Sequence, residues 1–437
     1  MQYLDPVLLR TRLFESLFYL HSQPPLFNLF LGIVLKLYPQ NPAPLFQAIY
    51  LLLGAALTCA VLLLQLRLGV RKPVALALSL LFAVSPSLIL YSNWLFYSLP
   101  VAVLLCLAAL LLHEFVATRR GRCGFGFLFA LALVCLTRSS FHLAFLLIVA
   151  AALFFLTPDT RKKTLLAAIL PLLLVVGLYA KNLAIFGRFS ASSWLGMNLW
   201  EVVTDQLPRA DLKELVVAGK LSPVALVPRY SDVAAYPAAY REPSRHNVPA
   251  LTQPVKSTDV ANYNNITYAR VSDAYLRDAA YLILHRPAGF AKGLLKSWFA
   301  YFKSNTDYVL LEPNRSRIGF WNRAYDAAFY GRIPFDFSRT GILKTTSPRG
   351  HFPYLFLFIG LPVLFVFGAR LALTRTSELD RAQRITLAFI LFTIIYSALV
   401  GNLIEAGENN RFRFETDPLS LVLLGLALTR LLRRPRA

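Results

Sequence analysis

Cysteine is scarce in this chain: four in 437 residues, at Cys59, Cys106, Cys123 and Cys135. Three lie inside apolar runs and Cys123 in a basic loop, with no CxxC pair and none in the long polar stretch further on. That excludes a disulfide framework and a cysteine zinc site. Charge is also sparse, at 16% of residues, and lopsided: 23 Asp and Glu against 45 Lys and Arg leave a net charge of +22. The basic excess is spread between hydrophobic blocks rather than gathered into one domain, which argues against a nucleic-acid partner. A phosphate-binding loop, a dinucleotide fingerprint, a GxSxG elbow and a Ser-His-Asp arrangement are all missing. His246, His285 and His351 have no metal-ligand spacing, and no internal repeat or low-complexity tract stands out.

Apolar residues make up 57% of the chain, and its mean hydropathy is +0.54. They come in blocks of about 20, enough to cross a bilayer. The chain therefore reads as an all-α polytopic membrane protein, with nine spans at about 45–66, 74–91, 95–115, 125–136, 141–156, 164–183, 353–373, 385–404 and 418–432. Every second connection is short and basic, and the positive-inside rule assigns those to the cytoplasm. The others then share the extracytoplasmic side: the N-terminal stretch, 91–94, 138–142, a long polar segment, and 405–417. Four regions follow. Residues 1–44 form an external loop with an interfacial helix and 45–185 an N-terminal transmembrane bundle. Residues 186–351 form a loop-rich external segment with helical pieces at 272–284 and 287–302, and 352–437 the C-terminal transmembrane helices. The apolar run 26–38 is too short to span and suits an interfacial or re-entrant helix. Residues 1–23 have no basic n-region, apolar core or cleavage site, so they do not read as a signal peptide. With the N-terminus placed outside, either the chain inserts through a later hairpin or a further span lies upstream of Met1, the second being the favoured expectation.

The external loops carry the unusual polar residues: Asp5, Glu15, His21, Gln23, Arg138, His142, Glu405, Glu408, Asn409, Asn410, Arg411 and Arg413. Ionisable groups at membrane level are costly, so their clustering on one side invites a functional reading. His21 and Gln23 precede Pro24-Pro25, which either build a rigid polar lip or simply start a helix,. Arg411 and Arg413 alternate with Phe412 and Phe414; in an extended stretch both guanidiniums would face one oxyanion. Otherwise they mark a span end. Arg138 is either a second phosphate ligand or a snorkelling side chain, and His142 reads as a helix cap. Two N-x-S/T sequons, at Asn265 and Asn314, carry little weight,.

These stretches, taken together, carry a resemblance. His21-Ser22-Gln23-Pro24-Pro25-Leu26 resembles the His-Pro-Pro-Leu region of glycosyltransferase families 39 and 83, which include protein O-mannosyltransferases and bacterial aminoarabinose transferases of the GT-C fold. The likeness continues through Asn93-Trp94-Leu95-Phe96-Tyr97, Thr137-Arg138-Ser139-Ser140-Phe141-His142, Lys181-Asn182 and Gly187-Arg188-Phe189. It then takes in Gly196-Met197-Asn198-Leu199, His285-Arg286-Pro287 and Glu408-Asn409-Asn410-Arg411-Phe412-Arg413-Phe414. The resemblance implies a GT-C-like bundle in a bacterial inner membrane. It implies a polyprenyl-phosphate-linked sugar as donor, and a lipid, glycan or protein acceptor glycosylated outside. An acidic residue of the first external loop would be the general base; Asp5 is the nearest candidate and Glu15 the next. Arg411, Arg413 and Arg138 would hold the donor phosphate, with His21, Gln23, Asn410 and Glu408 shaping the pocket. No cofactor is assigned, although two carboxylates would allow a divalent metal. The second external loop, 91–100, departs from the pattern in having no acidic residue. The competing expectations are a non-catalytic member of a cell-envelope glycan pathway and a lipid-linked glycan transporter; the near absence of charge within the spans argues against the latter.

Overall fold

In a computed structural model, which describes residues 3–333, 335, 354–374 and 378–432, the chain is helical throughout. No strand occurs among the described residues, which hold two isolated β-bridges. His351, Pro353 and the basic residues Arg375, Arg433, Arg434 and Arg436 lie outside them.

Two short helices, α1 (Pro6–Thr11) and α2 (Leu13–Phe18), lead into α3 (Leu26–Leu37), the short apolar helix expected from the sequence. The N-terminal bundle follows as α4 (Ala43–Arg67), α5 (Lys72–Ala83), α6 (Pro86–Ser92), α7 (Ser98–Thr118), α8 (Gly121–Thr137), α9 (Leu143–Leu156) and α10 (Arg161–Phe186). Proline opens several of these helices, at a position whose N–H would be unpaired anyway,. Helices α5 and α6 meet at 52°, because Ser85 stops one and caps the other, its Oγ accepting from the Leu88 N–H at 3.2 Å,.

The long segment contributes α11 (Leu195–Thr204), α12 (Arg209–Val217), α13 (Pro249–Thr252), α14 (Ile266–His285), α15 (Pro287–Tyr301), α16 (Glu312–Arg315) and α17 (Gly319–Tyr330). Then come α18 (Leu355–Leu373), α19 (Arg381–Ile404), α20 (Asn409–Phe414) and α21 (Asp417–Leu431). Five helices are long and apolar enough to cross a membrane: α4, α7, α10 with its leading turn, α18 and α19; the bent pair α5–α6 makes a sixth. Of the nine stretches expected to span, six correspond to these, while 125–136 and 141–156 fall on the shorter apolar α8 and α9 and 418–432 on the 15-residue α21. Helices α7 and α19 are the most buried of the five, whereas α4, α10 and α18 turn outward faces such as Leu52, Leu173 and Val366. Apolar faces of that extent suit lipid rather than water.

The helix ends sort into two poles. At one, Arg67 pairs with Glu114, Arg119 and Arg381 share Asp159, and Gln383 reaches the Arg67 carbonyl. At the other, residues 19–24, 92–97, 137–142, the long segment and 404–417 come together, as the alternation of basic loops predicts.

The long segment has a core of its own, built on Trp194, Met197, Trp200, Tyr268, Tyr275 and Leu282. Tyrosine suits it because each hydroxyl finds a carbonyl, Tyr275 on Val227 at 2.7 Å and Tyr268 on Ser231 at 2.9 Å,. Helix α11 packs so closely on α14 that a Cβ at Gly196 would sit 1.7 Å from the Ser272 carbonyl oxygen. Glycine is the residue that permits this approach.

Candidate functional site

Where α19 gives way to α20, the backbone turns at Gly407 with φ +103°, a conformation glycine adopts freely,. The Asn409 side chain seals the turn, its Oδ1 accepting from the Gly407 N–H at 2.9 Å and its Nδ2 donating to the Glu405 carbonyl at 2.8 Å. This corner faces the α8–α9 connection and the N-terminal lip. Between them lies a cavity of about 70 Å³. Its wall includes Gln23, Tyr97, Arg138, Glu405, Glu408 and Arg411.

Two guanidiniums dominate. Arg411 is 2% exposed and lies under four aromatic rings: Phe96 and Phe412 at 4.8 and 4.9 Å from its Cζ, Tyr308 and Tyr97 at 5.5 and 5.7 Å. Such faces stabilise a desolvated cation. Its Nη2 donates to Glu408 at 2.5 Å, while its Nε is buried without a partner. Arg138 packs on Phe412 at 4.3 Å and donates from Nε to Ser140 at 2.6 Å. It pairs with the fully buried Glu415 through Nη1, and none of the hydrogen bonds described for it uses Nη2. The buried indole N–H of Trp194, also on the wall, has no partner. A buried donor without an acceptor costs free energy that an incoming oxygen would recover. Each of these three groups is therefore ready for an acceptor atom.

Beside the cavity lies a groove of about 430 Å³ between α9, α10, α11 and the end of α19, and the two share the wall residues Ser139, Ser192, Asn198 and Ile404. This groove is chiefly apolar, lined by Leu143, Leu147, Phe189 and Leu195 among others. Leu147, Phe189 and Leu195 are themselves about half exposed.

Of the site residues expected from sequence, Arg138, Arg411, Glu408 and Gln23 meet in this cavity, and the other five do something else. Arg413 was expected beside Arg411 in an extended stretch, but α20 is helical, so residues two apart point about 200° away from each other. Arg413 faces inward, donating to Asp417 at 3.0 Å and to the carbonyls of Tyr301 and Lys303. Asn410 likewise turns to the Ser304 carbonyl at 2.8 Å.

Neither expected base reaches the cavity. Glu15 lies on an open surface, paired with Arg12 at 3.4 Å. Asp5 caps α1, accepting from the Val7 N–H at 2.8 Å, and also accepts from the Ser257 N–H at 2.6 Å and hydroxyl at 2.7 Å. Burial opposes its ionisation, but these hydrogen bonds together hold the carboxyl below its ordinary pKa,. Asp5→Ala is accordingly expected to cost about 1–3 kcal/mol of stability through the lost cap and the orphaned Ser257 donors. Thermal unfolding in detergent measures this; an unchanged midpoint contradicts it.

His21 is a latch rather than a pocket wall. Its Nε2 must donate to the Asn264 carbonyl at 2.9 Å, so Nδ1 accepts from the Ser193 hydroxyl at 2.7 Å,. Asn264 Oδ1 also accepts from the His21 N–H, and Lys181 donates to the Leu20 carbonyl. The lip is thus tied to the long segment and to α10. Burial pushes the imidazole down to about 3, with its bond to Asn264 opposing and Arg188 and Lys181 adding to the shift. A histidine kept neutral in the fold titrates near 6.5 when released. The latch is therefore fully stable above pH 6.5 and weakens as pH falls toward 3, by up to about 1.4 kcal/mol per unit. Amide protection at residues 19–24 is expected to fall between pH 6.5 and 4 in the wild type and to change little in His21→Gln; equal profiles would refute the latch.

His142 sits at the N-cap of α9, but its ring contacts the Tyr396 hydroxyl at 3.0 Å rather than the helix backbone. Asn265, in one sequon, caps α14 and donates to the Thr252 and Gln253 carbonyls, which leaves it buried. Sequence reasoning overlooked Arg229 and Glu201 of the long segment. These two form an ion pair, and Arg229 also reaches Glu405 at 3.3 Å. Glu415 was overlooked as well. No local pattern marks these residues, since the contacts that bring them to the site, Arg229 with Glu405 and Glu415 with Arg138, span 176 and 277 positions. Glu405 and Glu408 both line the cavity, but among the described residues no group of three His, Cys, Asp or Glu side chains could hold a metal ion. Comparison of the chain with models of known protein families, with curated proteins and with solved structures finds no match.

Proposed function

We propose that this chain is an integral-membrane glycosyltransferase that moves a sugar from a polyprenyl-phosphate donor to an acceptor on the extracytoplasmic face. The observation that carries the reading is the polar cavity lying against the apolar groove, with four wall residues in common. An anionic head flanked by Arg138 and Arg411 would have its isoprenoid tail lying along Leu143, Leu147 and Phe189, toward lipid. Guanidiniums suit phosphate because their fixed N–H fork matches its oxygens. Held in a water-poor aromatic cage, they stabilise the charge that grows on phosphate as the glycosidic bond breaks.

The phosphate contacts belong to Arg138 and Arg411, with the Trp194 indole as a further donor; Gln23 completes the wall. In this reading nine spans, the bent α5–α6 pair counted as one, cross a bacterial inner membrane, with the basic pole in the cytoplasm. The long segment lies over the cavity and selects the acceptor. Transfer of label from radiolabelled polyprenyl-phosphate sugars by the full chain in proteoliposomes tests the proposal. Absence of transfer from mannosyl, glucosyl, galactosyl and aminoarabinosyl donors alike would sink it.

A further inference from the structure

Two carboxylates stand on the cavity wall, and they are not equivalent. Glu408 is fully engaged: Oε1 accepts from the Tyr308 hydroxyl at 2.8 Å and Oε2 from Arg411 at 2.5 Å. Glu405 has one oxygen engaged. Its Oε1 accepts from both terminal nitrogens of Arg229, each at 3.3 Å, while Oε2 accepts no hydrogen bond among the described residues. The backbone beneath it is held firmly, with its N–H on the Gly401 carbonyl at 3.1 Å and its carbonyl accepting from Ser297 at 3.0 Å and Asn409 at 2.8 Å. A rigid backbone, one anchored oxygen and one open oxygen beside two phosphate-binding arginines is the arrangement a positioned proton acceptor needs.

We propose that Glu405, rather than Asp5 or Glu15, takes the proton of the acceptor hydroxyl during sugar transfer; this rests on the glycosyltransferase reading above. The acceptor oxygen bonds to the anomeric carbon as the bond from that carbon to the phosphate oxygen of the donor breaks. The electron pair leaves with the polyprenyl phosphate, held by Arg138 and Arg411, and the hydroxyl proton passes to Glu405 Oε2. Water takes that proton before the next turnover. Glu408 keeps Arg411 in place, and Arg229, shared between Glu405 and Glu201, is a positioning residue through which the long segment orients the base.

The surroundings suit the role. Burial lifts the Glu405 carboxyl to about 7; Arg229 opposes this, the Glu408 charge adds to it and Arg411 opposes it. Around it stand Glu201 on α11, Arg229 and Tyr230 in the stretch after α12, Glu408 at the N-cap of α20 and Arg411 on it, Arg138 at the α8–α9 connection and the Ser297 hydroxyl of α15. A base near pH 7 combines an ionised fraction with useful proton affinity.

The test uses the full chain in proteoliposomes with the four labelled donors named above and membranes of the source cell as acceptor. Glu405→Gln is expected to lower transfer by about 10²–10⁴-fold and to change the affinity for unlabelled polyprenyl phosphate less than threefold. Glu405→Asp keeps the charge and is expected to recover part of the rate. Wild-type kcat/KM should rise with pH through about 7 and then level, as the base loses its proton, and the aspartate variant should move that limb. A loss below tenfold in Glu405→Gln, or a parallel loss of polyprenyl-phosphate binding, overturns the role of Glu405 while leaving the transferase reading intact. No transfer by the wild type from any donor overturns both.

Discussion

Arg411→Ala is expected to lower sugar transfer by about 10²–10³-fold, the scale seen when one donor to a developing oxyanion is removed. The loss arises from three physical effects. The guanidinium is desolvated among Phe96, Tyr97, Tyr308 and Phe412, so its charge acts with little water to screen it. Its Nε has no other partner to satisfy. Its removal also leaves Glu408 held by Tyr308 alone, a buried anion placed where another anion must bind. Arg411→Lys restores a positive charge but not the two-pronged geometry, and is expected to recover less than a tenth of the lost rate. Affinity for polyprenyl phosphate should fall with the rate in the alanine variant. Transfer within threefold of wild type, in protein that elutes as a single species, would remove Arg411 from the mechanism.

Arg413, two positions along, is expected to behave in the opposite way. It is completely buried, and its partners are Asp417 and two backbone carbonyls where α15 ends. Truncating one member of a buried ion pair typically costs about 3–5 kcal/mol, because the other charge is stranded. Arg413→Met should therefore lower the unfolding midpoint in detergent sharply. Arg413→Met with Asp417→Leu should recover part of that loss, since no charge is left without its counter-ion. At a temperature where the single variant stays folded, binding of polyprenyl phosphate should be close to wild type. A midpoint that does not move, or a double variant worse than the single, would contradict this assignment.

The pair shows how far sequence reading reached. The Glu408 to Phe414 stretch stood out because cationic residues at an external span end are unusual, and both arginines qualified equally. What separates them is the conformation of six residues. An extended strand repeats every two residues, whereas a helix turns about 100° per residue. Helix α20 thus sends Arg411 to the cavity and Arg413 to the protein interior. Asp5 shows the same limit from the other side. As a carboxylate in the first external loop it fitted the expected base, yet it faces Ser257, 252 positions away, and not the lip that follows it.

Sequence alone determined the all-helical architecture, the long apolar helices, the short apolar helix at 26–37, and the gathering of polar loops at one pole. These follow from periodicity, run length and charge alternation, which are local quantities that the bilayer scale makes decisive. Tertiary structure decided which polar residues meet. Arg138 with Glu415, Arg229 with Glu405, and His21 with Ser193 and Asn264 are joined across 172 to 277 positions. Each such pairing depends on how helices pack and on which buried donors find acceptors, and no short-range pattern encodes that choice.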